Sequence, residues 1–350
     1  LDLVALGTVA DVAPLTGVNR AFVRQGLKIL SNRKRLGLKF LIDKSGINSS
    51  PTSYHLGYIL GPKLNAPGRI GPADLALRLL CSSSPSEAND LCEQIEELNR
   101  QRREIENIAR EQALAQIDKN QSENSIIWAA SEGWHPGVVG IVASRLKDKF
   151  NKPSIVIGFD GIDGKGSGRS VDGYDLGHAI QRLQREGLIQ KGGGHRMAAG
   201  LSLTVDQLKP AMDRLCELAG KAKIVNAEAQ ELLVDGIIFI QAAKIDLIEE
   251  LENCGPFGSA IREPRFAFCD VSLSFTKRVG DNHLKVRFSD DNGKSMEAIC
   301  FRAFEGNLGQ ELCEHDGKKV HLVGKLDINY WQGKKSPQLI LEDAAWPEES

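Results

Sequence analysis

The chain has 350 residues, enough for two or three compact domains, and its 41% hydrophobic and 26% charged residues are those of a folded globular protein. No run approaches the 18 apolar residues of a membrane span and no signal peptide opens the chain; seven scattered cysteines without a CxxC pair argue against a zinc site or disulfide framework and for a reducing cytoplasm. The net charge of −2 conceals a division: residues 226–350 carry 14 basic and 22 acidic side chains against 30 and 24 before them, so a polyanion site belongs in the first two-thirds or on a local patch of the last third.

The first 80 residues are predicted as α/β. An apolar strand over Leu3–Val9 leads to a turn at Asp11–Gly17, a helix over Arg20–Leu30 and segments punctuated by Gly and Pro. The chain opens on this apolar run without an initiator methionine, which reads as a start inside a domain. "SSSPSEANDL" predicts a helix start, with Ser84 as N-cap, Pro85 at the first helical position and Glu87 completing a capping box. Ala88, Leu91, Ile95, Leu98, Ile105, Ile108, Leu114 and Ile117 then recur at helical spacing, giving a helix of roughly 34 residues, about 50 Å long. Arg102 and Gln112 interrupt its apolar seam, which predicts a solvent-bridging connector between domains over a coiled coil.

A fresh α/β alternation follows. It runs through strand Ser125–Ser131, loop "EGWHPG", helix Val138–Phe150, strand Pro153–Gly158, loop "DGIDGKGSGRS" and helix Asp175–Glu186. A glycine run, a short strand at Leu201–Leu203 and a helix opened by a Thr204/Gln207 capping box complete it. From about Glu228 the pattern turns β-rich. A helix over Gln241–Glu252 and "GPFG" precede strands at Arg265–Phe275, His283–Phe288, Met296–Phe301, Lys319–Tyr330 and Gln338–Leu341, which suggest a small barrel of the OB type.

Five segments carry chemistry. In "GTVADVAPLTG", Asp11 ends the predicted strand, where a metal ligand stands in an open α/β sheet; an aspartate there equally caps the next turn. The Gly/Pro-rich loop "LGPKLNAPGRIG" offers Asn65 and Arg69 as directional donors. In "GWHPGVVGIVASRL", His135 precedes a helix N-terminus, as a ligand or as a structural cap. "GKGSGRS" alternates glycine with Lys165, Ser167, Arg169 and Ser170, a composition that admits either a phosphate or a flexible turn. "KGGGHRMAAG" packs three glycines before His195, which can donate to a phosphate oxygen.

These motifs, in this order and over nearly all 350 residues, resemble the RecJ-type single-stranded-DNA exonucleases of the DHH phosphoesterase superfamily. The glycine motif is similar to the hallmark of their DHHA1 domain, and "ENCGPFGSAIREPRF" with the β-rich tail resembles their OB domain. The resemblance implies an α/β multidomain fold: part of a DHH α/β domain (1–83), a connector helix (84–120), a DHHA1 α/β domain (121–225) and a C-terminal OB-fold β-barrel (226–350). It implies 5′→3′ hydrolysis of single-stranded DNA by two divalent metals, Mn²⁺ or Mg²⁺, in repair and recombination. By the same resemblance Asp11 matches a metal ligand, and Ser167 and Arg169 match positions that grip a terminal 5′ phosphate. His195 matches the histidine that positions the scissile phosphate, with Gly193 and Gly194 beside it on the substrate, and Asn65 and Arg69 match a substrate-contacting loop. His135, Lys277, Arg278, Tyr330 and Trp331 are further candidate DNA contacts, the last two able to stack on bases or to serve as barrel core. A single-stranded-DNA-binding protein and a helicase fit as partners of a cytoplasmic monomer. The family's DxD, single-Asp and DHH metal motifs do not occur here, so this chain is expected to lack catalysis by itself. Two other readings stay open: an oligonucleotide or cyclic-dinucleotide phosphodiesterase, against which the connector and barrel argue, and a non-catalytic nucleic-acid-binding module.

Overall fold

The computed structural model describes residues 1–120, 124–222, 232–331 and 333–347; the domain joints placed at 121 and at 225/226, and the pattern change at Glu228, fall outside them. Two compact units divide the chain, one of Asn32–Ser50 with Gly57–Gln230, the other of Leu1–Ser31, Pro51–Leu56 and Glu231–Ser350. No helix among the described residues is long and apolar enough to cross a membrane, and all seven cysteines are free thiols.

Residues 1–83, all of them described, form helices without a strand. The opening apolar run is helix α1 (Asp2–Ala10), not the strand expected over Leu3–Val9. A short apolar run has no period that separates a buried strand from a buried helix, and here packing decides. Helix α2 (Gly17–Ser31) approaches α1 at Gly26, where a Cβ would stand 2.4 Å from the Ala5 Cβ. Helix α3 (Leu36–Lys44) and a π-helical turn (His55–Leu60) follow. The expected loop at 60–71 is instead two short helices, α4 (Gly61–Asn65) and α5 (Pro67–Ile70), each with a proline at its start. Proline there gives up only an N–H that the first turn leaves unpaired, so the Gly/Pro signal marks two helix starts. Helix α6 (Leu75–Cys81) completes the set.

The long helix α7 (Pro85–Asn120) has 36 residues. The Glu87 N–H donates to Ser84 Oγ at 3.4 Å, but the Glu87 carboxylate accepts from Ser82 Oγ at 2.7 Å, so only half of the capping box forms. The helix is not a solvent-bridging rod. Ala88, Leu91 and Ile95 are buried in its first half, Ala109, Ala113 and Ile117 in its second. The two residues that break its seam are polar contacts within that packing. Arg102, 7% exposed, donates to Glu106 Oε2 at 2.8 Å and Asn99 Oδ1 at 3.0 Å, and Gln112 Oε1 accepts from Trp134 Nε1 at 2.6 Å.

The α/β half comprises β1 (Ile127–Glu132), α8 (Pro136–Phe150), β2 (Ser154–Asp160), β3 (Asp163–Arg169), α9 (Leu176–Arg185), β4 (Lys191–His195), β5 (Ala198–Thr204) and α10 (Val205–Lys221). The Thr204/Gln207 capping box forms as expected. One sheet runs in the order β1-β2-β3-β5-β4, with β1 parallel to β2 and the other pairs antiparallel. Helices α9 and α10 cover one face through Leu176, Ile180, Met212 and Leu215 against Ile155, Ile157, Leu201 and Leu203. On the other face, Ala113 of α7 and Val139 and Val142 of α8 cover Ala129 and Val156.

In the second unit, β6 (Gly236–Ile237) and a 3-10 turn (Ile240–Ala242) lead to α11 (Ile245–Cys254). Strands β7 (Phe266–Val279), β8 (His283–Ser289) and β9 (Ser295–Cys300), helix α12 (Leu308–Cys313), and β10 (Lys319–Trp331) with β11 (Lys334–Ala345) follow. The order β10-β11-β9-β8-β7 closes through a β10–β7 pairing into a five-stranded barrel of the OB kind, as predicted, with Phe268 and Phe288 in an edge-on contact at its core. The "ENCGPFG" motif is the end of α11. Arg24 of α2 donates to the carbonyls of Asn253 (3.0 Å) and Gly255 (3.1 Å), supplying partners that the last helical turn lacks. Arg24→Met is expected to lower stability by about 1 kcal/mol, read as a lower midpoint in thermal unfolding; an unchanged midpoint would show these caps to be idle.

Candidate nucleic-acid interface

The "GKGSGRS" motif expected in a loop and the glycine run before His195 are both strands, β3 and β4, and the reason lies in what their glycines face. In β3 the glycines alternate with polar residues. A Cβ on Gly164, Gly166 or Gly168 would stand 2.6, 2.8 and 2.7 Å from Phe159, Ile157 and Leu176, so the covered face has no room for side chains. The period of two then sends Lys165, Ser167 and Arg169 to the other face.

Antiparallel pairing extends that face across three strands. Directly opposed residues share a face, so three rungs form: Lys165–Ser202–Lys191, Ser167–Gly200–Gly193 and Arg169–Ala198–His195. Lys165, Lys191, His195 and Gly200 are exposed, and Ser167, Arg169 and Gly193 are half-buried. At Gly200 and Gly193 the middle rung is a floor of backbone. No atom lies within 4 Å of a Cβ on Gly193, and only the Gly166 carbonyl oxygen, at 3.9 Å, does so for Gly200. Neither packing nor a left-handed φ calls for glycine at these two places.

Helix α8 borders the floor. Its Gly140 lets it lie over β3, for a Cβ there would stand 3.0 Å from both Arg169 Nη2 and Ser167 Oγ. Arg169 Nη1 donates to Ser167 Oγ and to the Gly168 carbonyl, each at 2.9 Å. Arg69 of α5 donates to the Gly137 carbonyl at 3.1 Å, and Gly137 has only backbone-to-backbone space beneath Arg69. Burial lowers the Arg169 guanidinium below its ordinary pKa, and the neighbouring Arg69 charge adds to it. Arg169 remains a cation at neutral pH, and among the described residues neither it nor Arg69 has an ion-pair partner; an anion between them would relieve both the repulsion and the desolvation.

The remaining sequence candidates divide. Asn65 is exposed at the end of α4. His135 is the N-cap of α8, where Nδ1 accepts from the Gly137 N–H at 3.0 Å, the capping alternative weighed from its position. Asp11 lies in the other unit, exposed at the C-terminus of α1 and not at a strand end. On the barrel, Arg278 Nε donates to the Asp281 carbonyl at 2.9 Å and its guanidinium sits 4.5 Å from the Phe304 ring, while Lys277 is exposed. Tyr330 and Trp331 are 67% and 70% exposed, not core, and pair across the hairpin with Lys335 and Lys334. Lys165 was named only within the phosphate-or-turn motif, and Lys191 and Gly200 were given no role, because only the strand register brings the three together. Among the described residues no group of three or more His, Cys, Asp or Glu is placed to hold a metal, so the donors here do not fit a two-metal centre.

Comparison with known proteins agrees with both halves. The family model of the DHHA1 domain matches residues 123–221, and that of the RecJ OB domain matches 234–343. The chain is 36% identical over 359 residues to the single-stranded-DNA-specific exonuclease RecJ of Escherichia coli and 34% identical over 351 residues to that of Bacillus subtilis. Each match takes in 99% of this chain but 61% and 44% of the relative, so the chain spans about half the length of the curated relatives it matches. The crystal structure of RecJ in complex with Mg²⁺ from Thermus thermophilus is similar with a TM-score of 0.84 and 27% identity, over 99% of this chain and 52% of that one.

Proposed function

We propose, from the DHHA1 and RecJ OB domains that match this chain, that it is a RecJ-type chain that holds single-stranded DNA for 5′→3′ exonucleolytic hydrolysis. The observation that carries this reading is the open Gly193–Gly200 floor beside Arg169, glycine kept where the fold has no use for it. A nucleic-acid backbone can touch such a floor directly, and the guanidiniums at its edge take a phosphate in charge-assisted hydrogen bonds. In this proposal Ser167 and Arg169, with Arg69, grip the terminal 5′ phosphate; His195, whose ring has no protein partner among the described residues, donates to the scissile phosphate. Asn65 contacts the nucleotide between them, and Gly194 shapes the hairpin that presents His195. On the barrel, Lys277, Tyr330 and Trp331 are proposed as contacts of their own, through charge and stacking. The domain reading is 1–83 as the end of a DHH domain, 84–120 as connector, 121–225 as DHHA1 and 226–350 as OB domain.

In a metal-dependent phosphodiesterase, Mn²⁺ or Mg²⁺ supplies a water made nucleophilic by coordination. Asp11 is proposed as one ligand of such an ion. A single exposed carboxylate does not hold two cations, so no hydrolytic step is assigned to this chain alone. The chain is therefore expected to bind 3′-labelled oligothymidylate in fluorescence anisotropy, with affinity that falls steeply with salt, and to leave it uncut in Mn²⁺. Absence of binding at low salt would overturn the binding role, and processive shortening of the strand would overturn the expectation that this chain does not cut by itself.

A further inference from the structure

The Lys165–Ser202–Lys191 rung is not used by the phosphate grip just described, yet it closes the same floor on its far side. Lys165, Lys191, Gly200 and Ser202 line a shallow open concavity. Both lysines are exposed, and among the described residues neither has an ion-pair partner. That sets them apart from the cations of the barrel face, where Lys285 and Arg287 both engage Glu297 at 2.9 Å. The lysines stand on β3 and β4, one on each side of β5, so roughly 10 Å separates their backbones and Ser202 lies between. Two flexible ammonium groups can close on one phosphate from that separation, with the Ser202 hydroxyl beneath it. From this rung to Arg169 is four residues of strand, about 13 Å. On β5 and β4 only the glycines of the middle rung, Gly200 and Gly193, intervene. The next rung outward pairs Asp163 with Thr204 and ends the cationic surface.

We propose that Lys165 and Lys191 form a second phosphate subsite, which holds an internal phosphate of a strand whose 5′ end is gripped at Arg169. The proposal rests on the single-strand-binding reading above and adds a length to it. A strand that leaves His195 crosses the Gly193–Gly200 row and reaches the lysine rung, so only substrates longer than a dinucleotide engage it. Each phosphate neutralised on a single strand contributes about 0.7 to the slope of log affinity against log salt.

The test compares the chain with its Lys165→Gln/Lys191→Gln variant, using a 5′-phosphorylated dinucleotide and a 5′-phosphorylated decanucleotide in a salt titration. The decanucleotide is expected to bind the variant several-fold more weakly, with a slope shallower by about 0.7, while the dinucleotide is unaffected. The Lys165→Arg/Lys191→Arg variant is expected to keep the original slope. An unchanged decanucleotide slope, or an equal loss for the dinucleotide, overturns the subsite and leaves the single-strand reading intact; failure of the unaltered chain to bind either oligonucleotide overturns both.

Discussion

Arg169→Ala is expected to erase the preference of this chain for 5′-phosphorylated over 5′-hydroxyl single strands. Arg169 is oriented before any ligand arrives: Nη1 is tied to Ser167 Oγ and the Gly168 carbonyl, and Gly140 leaves its other end in contact with α8. Its charge is half-buried, unpaired among the described residues, and set beside Arg69. A terminal phosphate carries more charge than an internal diester and fits the two guanidiniums. Charge-assisted hydrogen bonds of this kind contribute about 1.5–3 kcal/mol, roughly 10- to 100-fold in affinity. Arg169→Lys is expected to recover little, because an ammonium lacks the planar fork. Affinities for matched oligonucleotides that differ only at the 5′ end decide the matter. A preference that survives Arg169→Ala would sink the assignment.

Neighbouring glycines in β4 are expected to behave in opposite ways. At Gly194 an added Cβ would lie 2.3 Å from the Ala198 carbonyl oxygen and 2.5 Å from the Ala199 Cα, both backbone atoms of the paired strand. They cannot move aside without breaking the β4–β5 hairpin. Gly194→Ala should therefore cost about 3 kcal/mol or more of stability, and the loss of binding would follow from loss of the hairpin. At Gly193 nothing stands in the way, and alanine in a strand is, if anything, more stable than glycine by about 0.5–1 kcal/mol. Gly193→Ala should leave thermal unfolding unchanged or slightly improved while binding to single strands weakens, and Gly193→Val should weaken it further. Binding by Gly193→Val that equals the unaltered chain would remove the floor from the proposal.

The contrast also shows where sequence reasoning stops. "GGGH" announces that glycine matters, but three adjacent glycines have three different neighbours. Gly192 faces Ile180 and Ile189, Gly193 faces open space, and Gly194 faces backbone. Which of them serves a ligand is a property of what packs behind the strand. The alternating "GKGSGR" has the period of a strand in plain view, yet glycine is a poor strand former in isolation. Its place in the sheet depends on Phe159, Ile157 and Leu176 filling the space that its missing side chains leave.

The elements legible in the sequence alone were those fixed by contacts a few residues apart. The Thr204/Gln207 box, Pro85 at the start of α7 and the alternation of the five barrel strands each depend on near neighbours. The order of the motifs was legible too, and the resemblance to RecJ-type exonucleases rested on it. Tertiary structure decided the rest. It made Leu3–Val9 part of a helix, which α2 approaches closely at Gly26. It buried Arg102 with Glu106, and it joined Lys165 to Lys191 across 26 positions of chain through the register of β3, β5 and β4. Local signals fix hydrogen-bonding periodicity; the convergence of charge on one face needs the packing that chooses which face is covered.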